Sequence, residues 1–341
     1  METGAERSRF SECYPVDVPS LDYNTMRTSA EKYLSNLESH FPLKNDSVLL
    51  PDGEELDVTH ANVSRLLLFG DDDPAYSVLA LHTPEDKAKV VALYLHGKWW
   101  ALNDALKTAC TSRSGLITVE SPGERVVLFL LSQIIFGILE RPINEGIYFA
   151  PHPAKEIAKI LWQDGEAIGF YSVKKKGSLC DRYTSECYQL PVLDTVFVRK
   201  HWRRRGFALW ILGDFCSSFS KEETVGISSP ISANMYQVCS KYLIVHESQR
   251  DRLYEVEAPG NWSQRRNVWL NLQLGSCPGN YMQQNTIDGK NKKKKTASCQ
   301  KNAQNCERED FDASVDDSDG NPEPQRMARR KRVWSKQCGR D

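Results

Sequence analysis

Apolar positions along residues 1–275 fall in short blocks whose spacing alternates between the helical and the extended period. Tyr33, Leu34, Leu37 and Phe41 lie three or four apart within residues 22–41, which predicts a helix. Residues 65–70, 77–82 and 89–96 are Leu- and Val-rich runs separated by turn formers, and read as strands. Residues 100–110 read as a short helix and 116–120 as a strand. Pro122 then opens a long apolar helix with Glu124 in its first turn, where proline and an acid both suit a helix start. Its apolar run, residues 126–139, contains Ser132 and Gln133 and is shorter than the ~20 residues a bilayer requires. It is expected to be a buried core helix, so no membrane span is predicted. Residues 146–149 are a further candidate strand.

The second half is patterned more clearly. Residues 158–162 and 167–174 are strand-like and joined by Gln163-Asp164-Gly165-Glu166. Asp-Gly between two extended runs signals a tight hairpin. A strand over 190–198 leads into a polycationic turn and then a helix over 207–219. A short strand (224–228), a helix (233–243) and a closing pair of strands (253–257 and 268–274) follow. This order places the chain in the α/β (α+β) class, with a mixed central sheet flanked by helices.

The pattern fails after Ser276, where only Ile287, Phe311, Val315 and Val333 represent the large aliphatics and phenylalanine. Such a segment cannot bury enough apolar area to offset its ordering entropy, so residues 276–341 are expected to be a disordered tail. Ahead of it, residues 1–149 read as an α/β half that packs on or extends a core region at 150–275. Charge follows the same division. Residues 276–341 carry 14 Lys or Arg and 10 Asp or Glu, and residues 1–275 carry 30 and 35. The body is mildly acidic and the tail basic. A formal net charge of −1 argues against a generally basic nucleic-acid binder. The tail holds two basic clusters, Lys290 with Lys292, Lys293, Lys294 and Lys295, and Arg329, Arg330, Lys331 and Arg332. Clustered cations on an extended chain suit an import receptor, and the expected compartment is the nucleus. The first 22 residues are polar and lack the apolar segment of a secretion signal. None of the 10 cysteines forms a C-x-x-C pair, so free thiols in a reducing compartment and no metal site are expected.

The stretch richest in chemistry is Val196-Phe197-Val198-Arg199-Lys200-His201-Trp202-Arg203-Arg204-Arg205-Gly206-Phe207-Ala208. A strand runs into a cationic loop and the loop into a helix. Amides at a helix N-terminus lack partners and point outward, and the helix dipole adds positive potential. Gly206 lets a backbone approach a phosphate closely, Ala208 keeps the next turn narrow, and the arginines focus the field on a diphosphate.

These residues resemble the acetyl-CoA-binding signature of the GCN5-related N-acetyltransferase (GNAT) superfamily, Arg/Gln-x-x-Gly-x-Gly/Ala after an apolar-x-Val strand end. Arg203, Arg204, Arg205, Gly206, Phe207 and Ala208 stand in its positions, although Lys200 replaces a proline common there. The resemblance implies a GNAT-like core over 150–275. Val196, Phe197 and Val198 would bind pantetheine through their backbone, the 203–208 turn would bind pyrophosphate, and acetyl-CoA would be the cofactor. With His96-Gly97-Lys98-Trp99-Trp100 and the Lys-rich tail, the whole chain is similar to the soluble lamin-associated protein family. That resemblance implies a nuclear-envelope association and lamins as partners. A transferase acting on a protein amine needs a base and an acid. Val192 stands where the superfamily's glutamate base is expected, leaving Asp194, two residues on, as the candidate base. The acid position falls near Val238, flanked by Tyr236 and Tyr242 as candidate acids. These departures leave a second reading open, a non-catalytic nuclear interaction protein that retains the fold.

Overall fold

Asp22 accepts the Thr25 amide at 2.9 Å and so caps α1 (Tyr23–Glu38), near the helix predicted over 22–41. The structure is a computed structural model and describes residues 14–18, 22–39, 46–50, 53–70, 75–140, 150–180 and 185–275. The strand expected over 146–149 and the tail lie outside the described residues. Strands β1 (Ser47–Leu49) and β2 (Glu55–Asp57) form a small antiparallel ribbon. Strands β3 (Val63–Leu67), β4 (Ser77–His82), β5 (Val90–Leu95) and β6 (Lys98–Ala101) form an antiparallel sheet in that order.

Strand β6 corrects the helix predicted over 100–110, of which only α2 (Leu102–Ala105) is helical. His96 (φ 59°) and Gly97 (φ 80°) make a two-residue turn that sets Lys98 opposite Leu95. Both turn residues are left-handed, as this turn type requires, but histidine stands where asparagine or aspartate would have signalled it.

A seven-stranded mixed sheet carries the rest of the fold. Its members in chain order are β7 (Gly115–Thr118), β8 (Ile157–Gln163), β9 (Glu166–Lys174), β10 (Val192–Val198), β11 (Val225–Ser228), β12 (Leu253–Val256) and β13 (Arg265–Asn267). In space they run β13-β12-β11-β10-β9-β8-β7, so β7, from the first half of the chain, forms an edge of a sheet built mostly by the second. Asp164 (φ 52°) and Gly165 (φ 81°) form the expected β8–β9 hairpin. Strands β10, β11 and β12 are parallel, and α4 (Phe207–Ser218) and α5 (Ala233–Val245) cross between them.

The closing strand pair is the second correction. Residues 268–273 form α6 (Val268–Gln273), and the partner of β12 is the polar strand β13. Asn267 accepts the Leu270 amide at 2.9 Å and starts α6, while Val268 and Leu272 bury one face four residues apart. The apolar run is compatible with either period, and β13 has no apolar pattern to show.

Ser121 and Glu124 cap α3 (Pro122–Phe129) reciprocally. Glu124 N donates to Ser121 Oγ at 3.2 Å, and Ser121 N donates to Glu124 Oε2 at 2.9 Å. The helix continues to Leu139 with wider turns, closed by Glu140 N on the Ile135 carbonyl at 2.7 Å. Among the described residues the 122–139 helix is the one long and apolar enough to cross a membrane, and it packs into the core instead. Leu128, Leu130, Leu131 and Ile134 bury against Trp162, Phe170 and Phe197 of the sheet. A second cluster joins Ile211, Leu212 and Phe215 of α4 to Cys239 and Leu243 of α5 and to Leu161 and Leu193 of the sheet. The mixed α/β class, with a central sheet flanked by helices, is therefore as the sequence predicts.

Candidate functional site

Strand β10 pairs with β9 along its whole length, but a bulge between Leu193 and Thr195 places Asp194 out of register. On its other side β10 meets β11 only at Val192–Gly226 and Leu193–Ile227. Beyond that point β11 stays with β12 through Ser228–Val256 and leaves β10. Among the described residues the edge of β10 from Thr195 to Val198 therefore has no strand partner on the β11 side. The gap lies at the carboxyl ends of parallel strands, where open α/β sheets hold their ligands.

The cationic loop borders this gap. Residues 200–202 make one tight turn, with Trp202 N donating to Arg199 O at 2.8 Å. Arg204 (φ 65°) and Gly206 (φ 88°) then take left-handed conformations that turn the chain into α4. No side chain caps this helix. The first amides, from Phe207 onward, have no intrahelical acceptor and find none among the described residues. A Cβ on Gly206 would meet nothing within 4 Å, so the backbone is approachable there.

The arginines divide by use. Arg203 Nε donates to the Val198 carbonyl at 2.7 Å, and its Nη2 lies 3.3 Å from Glu140 Oε2. The same carboxylate oxygen accepts the Lys200 amide at 2.5 Å. Arg203 is thus a strut within the loop, and Glu140, at the end of the long apolar helix, is a site residue that sequence reasoning missed. Its only sequence signal is a lone acid ending an apolar run. Arg205 lies 4.7 Å over the Trp202 ring, and Trp202 packs edge-on against Phe207. Arg204 is exposed, with no ion pair among the described residues. Of the three arginines, Arg204 and Arg205 are left, with the α4 amides, to hold an anion.

The three candidate catalytic side chains are not brought together. Asp194 lies 3.9 Å from Lys174 Nζ at the bulge. Lys174 also pairs with the buried Glu156, which lies 3.1 Å from His152 Nδ1. Burial opposes charge on Glu156, but the His152 hydrogen bond and Lys174 outweigh it and hold the carboxyl down at about 2. Burial likewise opposes the charge on Lys174, and Glu156 and Asp194 outweigh it, so its ammonium is stabilised. Tyr236 is buried and donates to Glu255 Oε2 at 2.7 Å. Glu255 also accepts Ile231 N at 3.0 Å and Ser229 Oγ at 3.1 Å, fixing the turn after β11. Tyr242 is buried between α5 and α4, where burial and the neighbouring Cys216 push its hydroxyl pKa well up. No metal-holding group of three or more His, Cys, Asp or Glu occurs among the described residues.

Comparison with known proteins settles the kinship. Protein FAM169B of Mus musculus is 44 % identical over 267 residues, covering 78 % of this chain and 79 % of the mouse protein. The chain belongs to the FAM169B family. Protein FAM169BP of Homo sapiens is 49 % identical over 155 residues, 43 % of this chain and 80 % of the human one. No family model matches the chain. These relatives correct the resemblance read from the 203–208 turn and the tail: they are FAM169B proteins, not members of the soluble lamin-associated or GNAT families. Short degenerate motifs with a basic tail arise in unrelated chains, whereas identity over 267 residues does not. Lamins as partners rested on that resemblance alone. Neither relative's name carries an activity, a ligand or a compartment.

Proposed function

We propose that this FAM169B family member binds acetyl-CoA in the gap between β10 and β11. The observation that carries the reading is the parting of two parallel strands beside an uncapped, cation-flanked helix start. The edge from Val196 through Phe197 to Val198, where Arg203 Nε already takes the Val198 carbonyl, offers its remaining unpaired amides and carbonyls to an extended amide-bearing chain such as pantetheine. The amides at Phe207 and Ala208, with Arg204 and Arg205, face a diphosphate. Arg203 supports this surface from within through Val198 and Glu140.

Calorimetric titration of acetyl-CoA into the full chain tests the reading beside a Gly206→Asp variant. The site predicts micromolar binding that the variant abolishes, because a carboxylate would stand where the phosphate belongs. Absence of binding to the unaltered chain would overturn it.

Transfer of the acetyl group to a protein amine extends the proposal, with Asp194 as base and Tyr236 or Tyr242 as acid. A second reading, binding without turnover as a nuclear interaction protein, draws support from the side chains themselves. Asp194 faces Lys174, Tyr236 is bound to Glu255, and Tyr242 neighbours Cys216. Mass analysis of lysine-bearing peptides incubated with acetyl-CoA separates the two. For the compartment, the basic clusters at 290–295 and 329–332, outside the described residues, are read as import signals. A fluorescent fusion should lose nuclear accumulation when both clusters are replaced by alanine.

A further inference from the structure

Helices α4 and α5 leave a groove of about 540 Å³ between them, lined by Trp210, Gly213, Lys241, Tyr242 and Val245. Gly213 forms part of its floor, where a Cβ would come within 3.7 Å of the Tyr242 ring. Trp210 stands on one wall at 47 % exposure and Val245 on the other at 72 %, with Ile244 beside it at 59 %. Large apolar side chains gathered around a concave surface mark an interaction site, and tryptophan is among the residues enriched at the energetic centres of such sites.

Charge narrows the partner. The one carboxylate lining the groove, Asp214, is already met by Lys159 Nζ at 2.7 Å and the Tyr171 hydroxyl at 2.5 Å. Two C-terminal carbonyls of α5 are covered as well, since Arg250 donates to Leu243 O at 2.9 Å and to Ile244 O at 3.3 Å. Lys241 lines the groove with no carboxylate partner among the described residues. Lys241 is therefore a cation on the groove that no neighbouring carboxylate among the described residues compensates.

We infer that this groove docks an acidic amphipathic helix of a partner protein. Apolar side chains one turn apart on that helix fill the space between Trp210 and Val245, and its carboxylates face Lys241.

The probe is a labelled synthetic helix with leucines along one face and glutamates on the others, titrated into the full chain by fluorescence anisotropy. Controls are the same helix with lysine for glutamate, and phosphatidylserine vesicles. Saturable binding of the acidic helix, weakened at least about tenfold in Trp210→Ala and in Lys241→Glu, is expected. Lys241 is exposed, so its reversal keeps the test standing if Trp210→Ala fails to fold. Equal binding of the lysine helix, no binding of the acidic one, indifference to both substitutions, or vesicle binding in place of the peptide would each overturn the inference.

Discussion

Glu140 Oε2 receives the Lys200 amide at 2.5 Å and lies 3.3 Å from the Arg203 guanidinium, so one carboxylate ties the long apolar helix to the loop that opens α4. Glutamine at 140 keeps the shape and removes the charge. The Arg203 side chain is 45 % exposed, so the pair is screened and its loss should lower stability by only about 1 kcal/mol. The loop becomes more positive by one charge. Acetyl-CoA affinity in Glu140→Gln is expected to rise roughly two- to fivefold at low salt. Thermal melts and calorimetry measure both effects. Weaker binding would show that the loop's shape, held by Glu140, outweighs its charge.

Glu156 makes acid stability testable. Its carboxyl is held at about 2, below its ordinary 4.5, by the His152 hydrogen bond and Lys174 working against burial. A carboxyl depressed by folding stabilises fully above its unfolded value, and that contribution fades as pH falls toward the folded one. A shift of this size corresponds to about 3 kcal/mol. The chain should lose that stability between about pH 4.5 and pH 2. Glu156→Gln should be less stable at pH 7 and show a flatter profile across this window. Urea melts at stepped pH decide it, and parallel profiles for the two proteins would refute the assignment.

Tyr236 and Glu255 separate structure from chemistry. Glu255 accepts from Tyr236, Ile231 and Ser229 in a buried cluster. Glu255→Ala strands the Ile231 amide and the Tyr236 hydroxyl and should cost about 3–5 kcal/mol. Tyr236→Phe removes one bond and should cost about 1–2 kcal/mol. If Tyr236 only braces the turn after β11, the phenylalanine variant melts earlier but keeps the affinity for acetyl-CoA. Loss of affinity at unchanged stability would place the hydroxyl in the site.

Elements that signal through local chemistry were legible in the sequence. Pro122 and Glu124 marked the start of α3, Asp164-Gly165 marked the β8–β9 hairpin, and the 203–208 turn marked a strand-to-helix junction. Legibility failed where the signal is tertiary. Strand β13 is Arg-Arg-Asn and is extended only because β12 offers it an edge. Glu140 became part of the site through a contact with residues 60 positions away. The parting of β10 from β11 depends on pairing partners, and Asp194 alone in a strand does not announce a bulge. Kinship was misread because a six-residue turn carries less information than the length of the chain.

Two glycines that look alike in sequence should answer differently to alanine. Gly169 has ordinary backbone angles, but a Cβ there would sit 2.5 Å from the Phe197 carbonyl oxygen and 3.2 Å from Val198 Cα. Both are backbone atoms of β10 and cannot turn aside, so β9 and β10 must move apart. Gly206 is the reverse case, with nothing within 4 Å and a φ of 88°. Alanine at 206 should cost about 1 kcal/mol through backbone strain, and asparagine less. Alanine at 169 should cost about 3 kcal/mol or more, as overpacking against fixed atoms does. The damage at 169 also reaches the site, because Arg199 N bonds Ile168 O at 2.8 Å just where β10 passes into the cationic loop. Gly169→Ala should therefore weaken acetyl-CoA binding as well as lower the melting temperature. Equal, mild melting shifts for the two alanine variants would mean that β9 and β10 do not approach as closely as the Gly169–Phe197 contact requires.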